Sequence, residues 1–273
     1  MSRKFLSLFL SSILLAACSN VKNKSFLQEE NIKGKVKKYT EANYFTGDDS
    51  KEKLTFIEEH SIDRDGNRTM VEDFSPEKKF TGRCIFEHDD HGNVTALTNY
   101  DENEKEKSSS KLKYDEHNNL IEYWGSNFKD ITDKHSYKYD EKGNAIEEIY
   151  YGQDGGVYSK DLNTFDEKGN LIKDIEYREG KLHLTISYKY DSTGNKIERK
   201  DLKPDGSIDR YDTWKYDNKN NLIEEIEYDW QGLPYSKTKY IYESYDAEGN
   251  WLVQKKIVDD IEKSKKVRTY EYY

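Results

Sequence analysis

A short phrase, D-x-x-G/N-N, occurs eight times between Asp63 and Asn250. Successive copies begin 26, 26, 25, 26, 25, 26 and 29 residues apart, which is the regularity of a tandem repeat. A repeat of this length holds one small structural unit that packs mainly on its neighbours. The copies begin at Asp63, Asp89, Asp115, Asp140, Asp166, Asp191, Asp217 and Asp246.

Each phrase has the residues of a tight β-hairpin turn. Aspartate at the first position can accept hydrogen bonds from backbone N–H groups further along the turn, and glycine tolerates a positive φ at the fourth position. Where glycine is missing, the substitute is asparagine, which also tolerates a positive φ, at Asn118 and Asn220. We therefore predict structural turns, best represented by Asp140, Gly143, Asn144, Asp166, Gly169, Asn170, Asp191, Gly194 and Asn195.

A second set of turn-forming residues lies halfway through each repeat, such as GQDG at Gly152 and KPDG at Lys203. Each unit is therefore expected to contain two strands and two turns, and strands joined by tight turns pair antiparallel. The fold expected from this pattern is all-β, with about eight tandem antiparallel β-hairpin units of about 26 residues. Stacking of neighbouring units predicts an elongated coiled sheet.

Side-chain alternation assigns two faces to this sheet. Leu222, Ile226 and Tyr228 are expected on one face, together with Trp214 and Tyr216. The opposite face is expected to be mixed, and its residues are Lys113, Lys138, Lys189 and Lys215 with Ile121, Ile146, Ile172, Ile197 and Ile223. Acidic strand residues are interpreted as solvated, and adjacent pairs such as Glu147-Glu148 point to opposite faces.

The N-terminus predicts export. Arg3 and Lys4 precede an apolar run at residues 5–15 that is too short to cross a bilayer of about 30 Å as a stable helix. The sequence Leu-Ala-Ala-Cys ending at Cys18 resembles the lipobox of bacterial lipoproteins, which implies that Cys18 is lipidated after cleavage. The alternative is an ordinary secretory signal with a cysteine beside the cut.

The predicted organisation is a signal peptide at residues 1–17, a lipid tether at residues 18–34 and a repeat domain at residues 35–273. The expected location is the cell envelope, with the chain held on a membrane by the lipid on Cys18 and facing the periplasm or the cell surface. Ser19 resembles a signal for transfer to the outer membrane where an organism has one.

Composition restricts the partners. Loss of Arg3 and Lys4 changes the formal charge from -10 to -12, and this acidic balance makes nucleic acid an unexpected partner. Cys84 is then the only remaining cysteine, so no internal disulfide is expected. The 23 tyrosines favour an ordered chain despite 36% charged residues.

The phrase Y-D-x-x-G-N, as in residues 139–144, resembles the YD repeat of the RHS family and, more loosely, the tandem hairpins of MORN-like proteins. The resemblance covers residues 35–273. It implies a coiled antiparallel sheet and carbohydrate or protein binding at the cell surface. No β-shell around a C-terminal toxic domain, as in large RHS proteins, is expected for this chain.

Catalytic and metal-binding patterns are weak. His88-Asp89-Asp90-His91 could hold a metal ion, and the phrase at Asp63 resembles the start of a calcium loop, but Phe74 stands where the loop needs glutamate. Both are interpreted as solvated turns, and Cys84 as a small buried residue with a reactive thiol as the alternative. We predict no enzyme, no cofactor and no metal.

Two functions are compatible with these observations. The first is a lipid-anchored scaffold that binds a glycan or a protein through exposed rings, with Tyr188, Tyr190, Trp214 and Tyr216 as candidates; the alternative for each ring is a place in the core. The second is an envelope immunity or antitoxin-like protein that neutralises a basic toxin by charge complementarity, as the MORN-like similarity implies.

Overall fold

The computed structural model describes residues 25–47, 51–127 and 130–273. Within these ranges a short helix, α1 (Phe26–Glu29), precedes a series of antiparallel strands. The strands are β1 (Val36–Thr46), β2 (Glu52–Ile62), β3 (Arg68–Phe74), β4 (Phe80–His88), β5 (Val94–Asp101), β6 (Glu106–Tyr114), β7 (Leu120–Asn127), β8 (Asp130–Tyr139), β9 (Ala145–Tyr151), β10 (Val157–Phe165), β11 (Leu171–Arg178), β12 (Lys181–Tyr190), β13 (Lys196–Leu202), β14 (Ile208–Tyr216), β15 (Leu222–Tyr228), β16 (Pro234–Tyr245), β17 (Trp251–Val258) and β18 (Ile261–Tyr272).

The sheet closes into an 18-stranded barrel. Each strand pairs antiparallel with the next, and β1 pairs with both β2 and β18. The closing register runs from Val36 opposite Tyr272 to Phe45 opposite Ser264. The prediction of an elongated coiled sheet is therefore wrong. Twist accumulates from strand to strand, and closure pairs the backbone groups that an open sheet would leave unpaired on its two edge strands.

The eight turns of the D-x-x-G/N-N phrase all lie at one end of the barrel, here called the Asp-turn end, because each of them connects an even-numbered strand to the next odd-numbered strand. In the turn at Asp140, Oδ1 accepts hydrogen bonds from the N–H groups of Lys142 and Asn144, and Oδ2 accepts one from the Asn144 side chain. Gly143 has a φ of 80°, which favours glycine. The same bonds form in the turns with Asp166, Gly169 and Asn170, and with Asp191, Gly194 and Asn195.

The tyrosine before the aspartate links neighbouring units. The Tyr139 hydroxyl donates to the carbonyl of Leu120 at 2.7 Å, and Tyr190 donates to Leu171 at 2.9 Å. Each bond runs from one hairpin to the strand that follows the preceding Asp-led turn. The Y-D pair therefore combines a turn residue with an inter-unit hydrogen bond, which a half-buried phenol needs.

A bulge beside seven of the eight D-x-x-G/N-N turns changes the faces of the following strand. Lys215 lies opposite Glu224, but the next residue, Tyr216, lies opposite Leu222. Leu222 therefore shares a face with Tyr216, whereas beyond the bulge this face carries Glu225 and Glu227. The prediction that Ile226 and Tyr228 share the face of Leu222 is wrong, because one extra residue reverses the alternation.

Burial identifies the inner face of the barrel. The side chain of Lys138 is 71% exposed, whereas its neighbours Tyr137 and Tyr139 on the other face are buried or half-buried. We call the buried face the inner wall and the other the outer wall. The apolar cluster of the inner wall lies on β3–β8 and contains Val71, Cys84, Phe86, Leu97, Leu112, Leu120, Tyr123 and Tyr137. Elsewhere many inward side chains are only half-buried, as in large barrels whose lumen holds water.

Residues 25–35 lie across a sector of the Asp-turn end. Leu27 and Ile32 are buried against Val36, Tyr39 and Ile62. The Leu27 N–H donates to the Gly66 carbonyl at 3.2 Å. On the other side of the β1–β18 seam, Asn250 forms two hydrogen bonds with the backbone of Lys33, at 2.7 and 2.9 Å. Part of the predicted tether thus packs on the barrel.

The predicted signal peptide and Cys18 lie outside the described residues. Among the helices of the described ranges, none has the length and apolarity needed to span a membrane.

Candidate functional site on the inner wall

Carboxylates lie side by side on the inner wall of β9–β15. Glu148 is opposite Asp161, which in turn is opposite Glu176, so three acidic residues follow one another across three strands. Asp174 lies one inward position from Glu176 on β11. We call this group the acidic band, and its members are Glu148, Asp161, Asp174, Glu176, Asp201, Asp212, Glu225 and Glu227.

Two aspartates of the band, Asp161 on β10 and Asp174 on β11, are poorly neutralised. Glu176 instead pairs with Arg178 at 2.6 Å, and Glu148 contacts His135 at 2.8 Å. Burial raises the pKa of Asp161 to about 8, and the carboxylates of Asp174, Glu148 and Glu176 add to the rise. Burial and the neighbouring glutamates raise the pKa of Asp174 to about 6. A raised carboxyl pKa means that the charged form is disfavoured where it stands. A cation placed between these groups would therefore be stabilised.

The part of the band on β13 and β14 is neutralised within the protein. Asp201 accepts two hydrogen bonds from the Arg199 guanidinium, both at 2.8 Å, and Asp212 is paired with Arg210. Both aspartates are almost completely buried. These pairs satisfy buried charge, and they leave Asp161 and Asp174 as the carboxylates of the band that a basic ligand could neutralise.

The four predicted ring residues also lie on the inner wall. Tyr188 and Tyr190 are on β12, Trp214 and Tyr216 are on β14, and all four are half-buried. Trp214 donates from Nε1 to Glu225 Oε1 at 3.1 Å, which joins the rings to the acidic band. The rings are thus neither on the outer surface nor fully enclosed.

Two of these tyrosines have evident structural partners. Tyr190 forms the inter-unit hydrogen bond described above, and the Lys196 ammonium lies 4.4 Å from the ring centre of Tyr188. Burial raises the pKa of both phenols to about 12, so both are neutral at neutral pH. Neutral phenols can donate hydrogen bonds to a ligand.

The other candidates from the sequence were a metal site and a reactive thiol at Cys84. No group of three histidine, cysteine, aspartate or glutamate side chains suited to a metal ion occurs in the described part of the chain. Cys84 lies in the apolar cluster, and burial raises the pKa of its thiol to about 12. A thiol of this kind is a poor nucleophile at neutral pH.

The outer wall carries ion pairs. Glu147 lies between Lys138 and Lys160, at 2.6 and 2.5 Å, and Glu224 lies between Lys215 and Lys237, at 2.7 and 2.8 Å. Their chain neighbours Glu148 and Glu225 point inward. The repeated Glu-Glu pairs therefore supply one charge to an outer ion pair and one to the acidic band.

The acidic band itself was missed by sequence reasoning, which interpreted acidic strand residues as solvated. The bulge is the signal that would have located it. If the strand after each D-x-x-G/N-N turn is given one extra residue before the inward–outward alternation resumes, Asp174, Glu176, Glu225 and Glu227 fall on the same face as the rings.

No family model and no curated protein matches the chain. Among solved structures, a porin-like protein from Bacteroides uniformis is 11% identical with a TM-score of 0.47, covering 86% of this chain and 96% of that one. The TcdB2-TccC3-TEV structure is 11% identical with a TM-score of 0.27, and a Photorhabdus luminescens Tc holotoxin pore is 10% identical with a TM-score of 0.19.

The match covers 82% and 83% of this chain in the two toxin comparisons, but only 15% and 18% of the toxin chains. All three TM-scores are below 0.5, so these similarities establish neither the fold nor the function. The closed barrel follows from the strand pairing.

Proposed function

We propose that the chain is a non-enzymatic, lipid-anchored binding protein of the cell envelope whose barrel binds a positively charged protein on its inner wall. The observation that supports this most strongly is the pair of poorly neutralised aspartates, Asp161 and Asp174, on neighbouring strands of the inner wall. Lysine or arginine side chains entering this region would pair with carboxylates that the protein itself leaves crowded together. A basic toxin is one partner of this chemistry.

A glycan is the second candidate ligand. The half-buried rings of Tyr188, Trp214 and Tyr216 present apolar faces on the inner wall, and Glu225 beside Trp214 offers a hydrogen-bond acceptor. Sugars need both features, because their C–H faces stack on rings and their hydroxyl groups need acceptors.

The ion pairs on the outer wall support anchoring on a membrane rather than insertion of the barrel. A barrel that spans a membrane presents an apolar band to lipid, whereas Glu147 and Glu224 form charged ladders on this wall. Attachment through the lipid on Cys18 keeps these ladders in water. We propose the outer membrane as the site of attachment where the organism has one.

The first test measures binding of an oligolysine peptide to the mature chain. We expect the double variant Asp161→Asn/Asp174→Asn to lose about tenfold in affinity at pH 8–9, because it removes two carboxylates from the band. The affinity of the unaltered protein should rise from about pH 5 to about pH 9, because both carboxyl groups have raised pKa values and become charged over this interval.

The matched control is Glu147→Gln/Glu224→Gln, which removes the same number of charges from the outer wall. An equal loss in this control, or an affinity that does not change with pH, would show that peptide binding is a general effect of net charge and would contradict an inner-wall site.

The second test addresses the anchor. We expect Cys18→Ala to move the protein from the membrane fraction to the soluble fraction, because durable anchoring requires the acyl chains that only this cysteine can carry. Fractionation after a high-salt wash measures the effect, with Cys84→Ala as the control that keeps the lipid site. A Cys18→Ala protein that stayed with the membranes would rule out lipid anchoring.

A further inference from the structure

Large apolar side chains are exposed at the end of the barrel opposite the Asp-turn end, here called the opposite rim. Trp230 is 72% exposed, and Leu233 and Tyr235 beside it are about as exposed, at 58% and 62%. Further exposed residues begin β10, β12 and β18 or lie near the end of β1. Together they form what we call the apolar arc: Phe45, Val157, Tyr158, Leu182, Trp230, Leu233, Tyr235 and Ile261.

The apolar arc occupies one sector of the rim. Its residues belong to four of the five turns in the sector from β9 through β18 and to the end of β1, and the turn between β13 and β14 contributes none. The turns between β3 and β4 and between β5 and β6 instead read SPEK and DENE, which are polar. Exposed apolar residues that cluster in this way are typical of interaction surfaces, whereas scattered ones are not.

The arc is not needed to form its turns. In the turn at Asp229, the carboxylate accepts hydrogen bonds from the N–H groups of Gln231 and Leu233, both at 2.9 Å, and Gly232 supplies the positive φ. The same backbone bonds would form with polar residues in place of Trp230 and Leu233. Turn geometry therefore does not explain why these positions are apolar.

The arc is continuous with the acidic band. The Tyr235 hydroxyl donates to Glu227 Oε2 at 2.6 Å, and the ring of Tyr158 packs edge-on against Tyr150 of the inner wall at 5.5 Å. β10 carries both Tyr158 of the arc and Asp161 of the band, and the turn with Trp230 and Leu233 follows β15, which carries Glu225 and Glu227. An apolar rim thus leads directly to an acidic inner wall.

Because residues 25–35 cover part of the Asp-turn end, the opposite rim is the less obstructed entrance to the barrel. These residues lie across a sector of the Asp-turn end, and the described chain begins there at Ser25. A lipid on Cys18 would hold the Asp-turn end toward the membrane and leave the opposite rim facing away from it.

We propose that the apolar arc and the acidic band form one docking surface for a basic, amphipathic segment of another protein, which enters the barrel from the opposite rim. This inference rests on the proposed binding of a positively charged protein and adds the place of entry and the apolar half of the ligand. Apolar side chains of the segment contact the arc, and its lysine or arginine side chains pair with the band.

The charge of the opposite rim favours a basic polypeptide over a lipid surface as the occupant of the apolar arc. The turns that carry the arc also carry aspartates, among them Asp154, Asp229 and Asp259. Anionic groups on the rim disfavour an anionic membrane surface and favour a basic polypeptide.

The test compares two synthetic peptides on the soluble Cys18→Ala protein. One alternates lysine with leucine, and the other has serine in place of every leucine. We expect the lysine–leucine peptide to bind more tightly, and Trp230→Ser/Leu233→Ser to reduce its affinity by at least about tenfold, since exposed tryptophans are frequent hot spots. The lysine–serine peptide should be affected less than about twofold by the same variant.

The control variant is Ile146→Ser/Ile241→Ser, which removes exposed apolar side chains from the outer wall and should leave both affinities unchanged. Equal binding of the two peptides, or an unchanged affinity in the rim variant, would overturn the docking surface while the inner-wall site stands. Failure of both peptides to bind would overturn the proposed function as well.

The same rim variant also tests two other occupants of the apolar arc, a membrane surface and a second copy of this chain. Binding of the soluble protein to vesicles of phosphatidylglycerol and phosphatidylcholine, lost in the rim variant, would assign the arc to a membrane. Self-association in sedimentation equilibrium, lost in the same variant, would assign it to a second copy of this chain. Either result would overturn the inference.

Discussion

Truncation after Asp260, which removes β18, is expected to unfold the whole barrel. Residues 261–267 of β18 pair with β17 and residues 264–272 pair with β1, so loss of this strand opens two edges and removes the inner-wall residues Arg268, Tyr270 and Tyr272. The cost should exceed the roughly 5–15 kcal/mol that stabilises an ordinary domain. An elongated stack would lose only the share of one terminal strand. Near-UV circular dichroism during urea unfolding distinguishes these outcomes.

A circular permutant is the matched control for this truncation. The Tyr273 hydroxyl donates to the Ile62 carbonyl, and the Leu27 N–H donates to the nearby turn carbonyl of Gly66, so both ends of the described chain lie beside the turn at Asp63. A flexible linker from Tyr273 to Ser25, with new termini in the turn at residues 152–156, keeps every strand pairing. We expect this protein to fold with one cooperative transition. A truncated protein that unfolds with the same transition would show that closure is not required.

The local structure of this fold could be predicted because its causes are local. Asp140, Gly143 and Asn144 form a turn through bonds within five consecutive residues, and the same bonds recur wherever the phrase recurs. Antiparallel pairing of consecutive strands follows from the shortness of these turns. An eightfold internal comparison made the pattern visible in a single sequence.

Closure could not be predicted from the same information. Tyr39 and Tyr270 are opposite each other in the closing register although most of the chain separates them. Whether the first and last strands meet depends on twist and register shear summed over every strand, and no single repeat contains that sum. The sequence of one unit is compatible with an open or a closed sheet.

The sequence singled out the rings of the inner wall but not the acidic band beside them, and the cause is again strand register. Tyr188 and Trp214 are predicted candidates because of their rings, and the structure places both on the inner wall, with Trp214 beside Glu225. The acidic band was missed because strict alternation assigned Glu225 to the face opposite the rings. A single bulge residue per strand moves these carboxylates from water to the inner wall, and it also brings their charges together.

Buried ion pairs join the first and last strands at the seam where the barrel closes. Glu41 on β1 is 3% exposed and accepts hydrogen bonds from Lys266 at 2.7 Å and Arg268 at 2.8 Å, both on β18. The Arg268 guanidinium also lies 4.0 Å from the ring centre of Trp251. Burial alone would raise the pKa of Glu41, but the two cations outweigh it and lower the pKa to about 2.

Glu41→Ala is expected to cost about 3–5 kcal/mol of stability, because it leaves a buried arginine and a lysine without their shared carboxylate. The measurement is urea unfolding at neutral pH. Glu59→Ala is the control: Glu59 on β2 pairs with Lys38 of β1 on the more exposed outer wall, away from the seam, and its loss should cost at most about 1 kcal/mol. Equal losses in the two variants would show that the buried pair is not special to the seam.

The pH dependence of stability in the Glu41→Ala variant tests the contribution of the Glu41 charge in a second, independent way. A carboxyl group whose pKa is lower in the folded state stabilises the fold fully above its unfolded pKa, here 4.5, and loses this contribution as the pH falls toward 2. The stability difference between the unaltered protein and Glu41→Ala should therefore be largest at neutral pH and shrink below about pH 4. A difference that stays constant on acidification would mean that Glu41 acts at the seam through packing rather than through its charge.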